Sequence, residues 1–247
     1  MAEELVRPGG ELASRPLHFF WVVDCSGSMW GEKIGVVNNA IQSVLPEMKS
    51  AAEDNPNAQL LIRTLKFSTG ATWVTGDPVK VEEYVWEDLE AGGVTDLGKA
   101  FELLAGQLSI PPMPDRALPP VIVLLSDGQP TDDYKKALAN LQKLPWCRKA
   151  VRIAISIGLD ADDEVLQEFT GNRELVLQAN SAAMLTKMIK WASTAVSSVS
   201  SGTSNTEEAG STDKRSDSSA GNSGNAPLIL DMDNIPDQED IDGTDVW

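Results

Sequence analysis

The chain has 247 residues, 42% of them hydrophobic, which is enough apolar material for one large globular domain or two small ones. Its formal net charge is −17, and the stretch from Ser201 to Trp247, with eleven acidic residues against two basic ones, carries −9 of it; this balance argues against nucleic acid or an anionic membrane surface as a partner. Two cysteines, Cys25 and Cys147, make neither a disulfide framework nor a metal quartet and fit reduced thiols in a cytosol, while the N-terminal MAEELVRPGGELASRP lacks the apolar core of a signal peptide and no run approaches the 18 apolar residues of a membrane span.

The first element, Leu17 to Val23 (LHFFWVV), is apolar without alternation, the signature of a parallel strand buried on both faces. Glu32 to Ala52 follows with Ile34, Val37, Ile41, Leu45 and Met48 at helical spacing. Ala58 to Ser68 reads as a second strand. ATWVTG and VKVEEYVW read as weaker strands or an edge hairpin. Thr95 to Leu108 is predicted helical, with Leu97, Phe101, Leu104 and Leu108 on one face. Pro119 to Asp127 (PPVIVLLSD) is another buried strand, and Thr131 to Leu144 a helix with Asp132 and Asp133 in its first turn, where the helix dipole favours them. A strand AVRIAISIG, a helix from Asp162 to Phe169, a strand ELVLQA and a last helix from Ser181 to Ala195 complete the pattern. Strands alternating with helices predict an α/β fold, doubly wound around a mainly parallel sheet with helices on both faces.

The division expected along the chain is a flexible N-terminus over 1–15, a folded domain over 16–197, a disordered Ser/Gly-rich linker over 198–226 and an acidic C-terminal motif over 227–247. In an open α/β sheet, ligands bind outside the carboxyl ends of the strands. Three such places here carry oxygen groups: Asp24, Ser26 and Ser28 in DCSGSM; Thr95 in AGGVTDLG; and Ser126 and Asp127 in LLSDGQPTDD. Each has a plainer reading alone, as a Ser/Gly turn, a helix N-cap or an Asp-Gly turn. Together, hydroxyls and carboxylates without histidine or cysteine suit a hard divalent cation such as Mg²⁺. Neutral hydroxyls would leave that ion electrophilic enough to take a carboxylate from another molecule. A thiolate at Cys25 would prefer a softer ion.

DCSGSM, GGVTDLG and LLSDGQPTDD resemble the von Willebrand factor A domain with its metal-ion-dependent adhesion site, and are most similar to the bacterial branch found among tellurium-resistance and stress-response proteins. The resemblance spans about Pro16 to Ala195. It implies a Rossmann-like doubly wound fold, with Ser26, Ser28 and Thr95 as direct metal ligands and Asp24 and Asp127 acting through water. It also implies Mg²⁺, with Mn²⁺ as an alternative, and a partner protein that supplies an Asp or Glu to the metal. A Ser/Thr kinase and a phosphatase are the associated proteins in such bacterial systems, and a cytoplasmic scaffold in stress or tellurite-resistance signalling is the implied role. The sequence departs from the family in one place: Val94 stands between Gly93 and Thr95, where Gly-Gly-Thr is usual. Asp96 is a candidate helper or a helix N-terminal residue.

The rival class is a phosphate-handling enzyme or receiver-like domain built on strand-end aspartates. The haloacid-dehalogenase pattern needs a second Asp at the position of Ser26, and a cysteine phosphatase needs Arg where Gly31 stands. There is no phosphate-binding G-x-x-x-x-G-K loop. The one histidine, His18, falls inside a predicted strand. With no nucleophile–base pair in view, the reading is a binding module and not an enzyme. The acidic motif, with Leu228, Ile229, Leu230, Met232, Ile235, Ile241 and Trp247 among its acids, reads either as a solubilising coil or as a short linear motif that orders on binding.

Overall fold

The apolar stretches line up as one seven-stranded sheet in a computed structural model that describes residues 14–54, 58–127, 129–158 and 161–187. The strands are β1 (Arg15–Asp24), β2 (Ala58–Ser68), β3 (Gly70–Trp73), β4 (Val79–Lys80), β5 (Val121–Ser126), β6 (Val151–Ile157) and β7 (Val176–Ala179). The helices are α1 (Glu32–Glu53), α2 (Leu97–Gln107), α3 (Tyr134–Lys143), α4 (Pro145–Lys149) and α5 (Asp163–Thr170), and residues 182–187 are also helical. The strand order is β3-β2-β1-β5-β6-β7, with β4 also paired to β2. β2, β1, β5, β6 and β7 run parallel, and β3 and β4 run antiparallel to β2. The expected doubly wound α/β architecture is therefore the observed one. The expected N-terminal segment up to residue 13, the end of the last helix, the linker and the acidic motif lie outside the described residues.

The lack of alternation in β1 has a simple cause. Leu17, Phe19, Trp21 and Val23 enter a core shared with α1, while Phe20 and Val22 enter a second core shared with α2, α3, α4 and α5. Each fully buried side chain of this size contributes about 1.5–3 kcal/mol. The two layers follow from handedness. The β1–α1–β2 crossover moves one way along the sheet, and the later crossovers, from β2 past β1 to β5, β6 and β7, move the other way. Right-handed connections then place α1 on one face and α2 to α5 on the opposite face. Among the described residues no helix is long and apolar enough to cross a membrane.

At the edge, of the two expected alternatives, short weak strands form and the hairpin does not. β3 and β4 do not pair with each other; both bond to β2, at Leu65↔Trp73 and Ile62↔Val79. The rest of VKVEEYVW leaves the sheet because its aromatics are drawn inward. The Tyr84 hydroxyl lies 2.6 Å from the Thr64 hydroxyl, and the Trp86 indole N–H donates to the Asn38 side-chain carbonyl at 3.2 Å. Asn38 also donates to the Leu89 carbonyl and accepts from the Leu89 N–H, so one polar residue of α1 pins the whole segment. The helix α4, opened by Pro145 at its first turn, has too few residues for periodicity to reveal it.

His18 sits in β1, ring-stacked on Phe20 at 5.9 Å, and both its nitrogens are buried without a hydrogen-bond partner. Burial, and then the nearby Arg63 charge, lower its pKa to about 4. The unfolded chain therefore takes up this proton first. The stability lost as pH falls from about 6.5 towards 4 amounts to about 3 kcal/mol. The buried Asp24, whose folded pKa is raised, works in the opposite sense over part of the same range. A comparison with His18→Phe isolates the histidine: relative to wild type, the variant is expected to gain about 3 kcal/mol of urea-unfolding free energy between pH 7 and pH 4. Parallel pH profiles for the two proteins would refute the assignment.

Candidate functional site

The strand order reverses between β1 and β5, because the chain leaves their carboxyl ends towards opposite sides of the sheet. That crevice is where open α/β sheets bind ligands. Asp24 is the last residue of β1 and is fully buried. Its Oδ2 accepts from the Ser126 hydroxyl at 2.6 Å, and its Oδ1 accepts from the Ser26 N–H at 2.8 Å. Ser26 opens a 3₁₀ turn over Gly27–Met29, and its hydroxyl lies 3.0 Å from that of Ser28, which is exposed. The intervening residues are anchors: Cys25 and Met29 are buried in the α1 core. Burial, reinforced by the Asp24 charge, pushes the Cys25 thiol up to about 12. It stays protonated and apolar, unlike a metal thiolate.

The loop before α2 is fastened to this turn by backbone bonds. The Gly27 N–H donates to the Gly93 carbonyl at 3.0 Å, and the Gly92 N–H donates to the Cys25 carbonyl at 2.8 Å. A Cβ on Gly27 would come within 3.2 Å of the Gly93 carbonyl oxygen. Glycine there lets the two loops approach closely, and a side chain would force the Gly93 carbonyl to give by a few tenths of an ångström. Gly93 has φ +86°, and a Cβ on it would lie 2.5 Å from the Thr69 hydroxyl, so both conformation and space demand glycine. Val94, the departure from the family resemblance, points outward at 45% exposed, while Thr95 is buried. The Thr95 N–H donates to the Thr131 hydroxyl at 3.0 Å, and the Thr131 N–H donates to the Thr95 carbonyl at 2.8 Å.

Two aspartates take places other than those expected. The Asp96 carboxylate accepts from the Gly70 N–H at 2.7 Å and so braces the β2–β3 turn. Asp132 lies outside the first turn of α3; its carboxylate reaches the start of α2 and accepts from the Gly98 and Lys99 N–H groups at 2.9 and 3.2 Å. It supplies the cap that Asp96 does not, and it neutralises the positive end of that helix.

The electrostatics of the crevice ask for a cation. Burial raises the Asp24 pKa to about 6, against the pull of hydrogen bonds from Ser126 and Ser26, and the Asp127 charge raises it further. Asp127 is itself buried, and its Oδ1 has no hydrogen-bond partner. Two buried carboxylates that feel each other's charge, one with an orphaned oxygen, are costly unless a positive charge joins them. With a hydroxyl pair beside them, the donors are all oxygen, the set that suits a hard ion. Among the described residues no three histidine, cysteine or acidic side chains cluster as an alternative centre. His18 lies six residues down β1 from Asp24, about 20 Å away at strand rise, which removes it from any chemistry at this edge.

Of the residues singled out by sequence, Asp24, Ser26 and Ser28 are joined by direct contacts, Asp127 acts on Asp24 through charge, and Thr95 is joined through the Gly27–Gly93 bond of its loop. Ser126, Thr131 and Asp132 complete the frame. Ser126 was visible as a strand-end hydroxyl beside Asp127. Nothing local in PTDD reveals that Thr131 and Asp132 brace a loop more than 30 residues away.

Solved structures share this fold. VWA2, an ArnB paralog from Sulfolobus acidocaldarius, superposes with a TM-score of 0.53 at 19% identity, covering 71% of this chain and 44% of that one. A von Willebrand factor type A protein from Catenulispora acidiphila gives 0.52 at 16%, covering 74% and 42%. Proximal thread matrix protein 1 from the mussel byssus, with a zinc-occupied MIDAS motif, gives 0.54 at 18%, covering 74% and 46%. The chain thus spans less than half the length of each of these structures, and at such identities the likeness is one of fold. No curated protein is significantly similar in sequence. The sequence profile of the von Willebrand factor type A domain matches residues 20–191, and with the crevice at the β1–β5 switch point this shows that the chain belongs to the von Willebrand factor type A domain family.

Proposed function

We propose that the chain is a metal-dependent protein-binding module. Domains of this family often mediate metal-dependent protein–protein interactions and are typically interaction modules rather than enzymes. The observation that carries the reading is the buried, unpartnered Oδ1 of Asp127, whose charge acts on the fixed carboxylate of Asp24. Ser26, Ser28 and Thr95 would hold the ion through their hydroxyls, with Asp24 and Asp127 behind them through water. Bound there, a divalent cation would supply a Lewis-acidic position for an Asp or Glu of another protein. The protein's own part is to keep the hydroxyls aligned. Ser126 and the Ser26 N–H fix the Asp24 carboxylate, and the Gly27–Gly93 and Thr95–Thr131 bonds keep the two loops in register.

Mg²⁺ is the proposed ion and Mn²⁺ its alternative, because every donor is oxygen. The mussel neighbour is described with zinc in its MIDAS motif, so zinc belongs in any comparison. The resemblance of DCSGSM, GGVTDLG and LLSDGQPTDD to the bacterial tellurium-resistance and stress-response branch supports a cytoplasmic scaffold as the wider role. A kinase and a phosphatase of that system are the first partners to look for.

Two outcomes test this. Saturating Mg²⁺ at about 100 times Kd is expected to stabilise the wild type by about 2.7 kcal/mol and to leave the Ser26→Ala/Ser28→Ala double variant unmoved. Thermal melts with Mg²⁺, Mn²⁺ and Zn²⁺ read this directly, and equal shifts in both proteins would remove the site. In a pull-down from cell extract, chelator is expected to release the bound partner, and one Asp→Asn or Glu→Gln change on that partner is expected to do the same. Retention in chelator would place the interaction on another surface.

A further inference from the structure

Among the described residues, four large hydrophobic side chains are exposed, and two of them, Trp30 at 77% and Val94 at 45%, belong to the loops that carry Ser28 and Thr95. Neither is there to fill a core. Val94 lies on the loop between the Gly27–Gly93 bond and the buried Thr95. Trp30 closes the 3₁₀ turn, its N–H donating to the Gly27 carbonyl at 3.2 Å, so the indole is presented from a fixed backbone. The Gly27–Gly93 bond joins the two loops. The two loops that carry the candidate ligands thus each present an exposed apolar side chain, and a large exposed aromatic on a fixed loop can anchor a binding partner.

An occupant of these loops needs a carboxylate next to bulky apolar groups. The chain carries one itself. Residues 228–247 hold seven acidic residues and no basic ones, and LILDMDNI places Asp231 and Asp233 directly between Leu230, Met232 and Ile235. From Lys187, the last described residue, about 40 residues lead to this segment. At full extension they span about 130 Å, against a diameter of about 40 Å for a domain of this size. The segment can therefore reach any point on its own domain, and a tethered ligand of this kind acts at about millimolar effective concentration.

We infer that residues 228–247 are a built-in competitor for the metal face, with Asp231 or Asp233 placed at the cation and the neighbouring apolar side chains on Trp30 and Val94. The inference rests on the reading of this edge as a cation site. A partner would then have to displace the tail, so the tail would set the threshold for binding.

Paramagnetic broadening by Mn²⁺ on the ¹⁵N-labelled full chain separates the two ideas. Stoichiometric Mn²⁺ is expected to erase the amide signals of Ser26, Ser28 and residues 229–235 together. Trp30→Ala, and independently Asp231→Asn/Asp233→Asn, are expected to restore the tail signals while those of the loop stay lost. Loop signals lost with a sharp tail in the wild type would overturn the docking and leave the cation site standing. Both sets remaining sharp would overturn the cation site and the docking with it. Tail broadening that persists in Ser26→Ala/Ser28→Ala would mean that the acids bind Mn²⁺ by themselves, and broadening lost on tenfold dilution would mean docking on a second copy; either overturns the intramolecular contact.

Discussion

The carboxylate of Asp24 is the constraint around which this edge of the protein is arranged. It is fully buried at the end of a strand whose other residues are almost all apolar. A carboxylate in that position is tolerated only because both oxygens are occupied, one by the Ser126 hydroxyl and one by the Ser26 N–H. Those two bonds tie β1 to β5 and start the turn that presents Ser26 and Ser28. Polar bonding also continues along the sheet edge. Asp162 donates its N–H to the Asp127 carbonyl, and the Ser156 hydroxyl and Gln178 amide both donate to the Asp163 carboxylate. The carboxyl edge of the sheet is thus a polar seam on an apolar body.

The body determines where that seam opens. Two-faced burial of β1 requires helices on both sides, and right-handed crossovers then require the chain to leave β1 and β5 in opposite directions. The crevice is a geometric consequence of covering the sheet, and the hydroxyl and carboxylate side chains only have to be placed at it. Their precision comes from bonds between loops made by backbone groups and one short hydroxyl, Gly27 to Gly93 and Thr95 with Thr131, with no dependence on long flexible side chains.

Much of this was legible in the residues. β2 begins and ends where its apolar and β-branched run does, at Ala58 and Ser68, because a central strand writes its burial directly into its composition. D-x-S-x-S, weak alone, could be read as a crevice motif together with Thr95 and Asp127, with Cys25 and Met29 having the size and polarity of core residues and the serine hydroxyls left for the crevice. What stayed hidden depends on partners remote in sequence. Nothing local marks Asp132 as the cap of α2 instead of α3, or Asp96 as a brace for the β2–β3 turn. The segment after β4 has strand-like composition, yet its Tyr84 and Trp86 are pulled off the sheet by Thr64 and Asn38. Local propensity lost there to side-chain hydrogen bonds that only the folded chain brings together.

Val94 connects the family pattern to what is particular to this chain. A valine between glycine and threonine, where the family resemblance expects Gly-Gly-Thr, could have turned the threonine outward. Here Thr95 is returned inward by its two bonds with Thr131, and the strain of the turn falls on Gly93, whose φ of +86° glycine adopts freely. Thr95 is thus buried while the branched apolar side chain of Val94 is left exposed, on a loop bonded to the one that carries Trp30. A cation alone discriminates poorly among carboxylates, since every Asp and Glu offers the same two oxygens. In a chain of net charge −17, general attraction for acidic partners is weak as well. If a partner carboxylate binds there as proposed, selectivity would have to come from what surrounds it, and the exposed Trp30 and Val94 on the two joined loops would supply contacts that distinguish an acid set among bulky side chains from one set among polar residues.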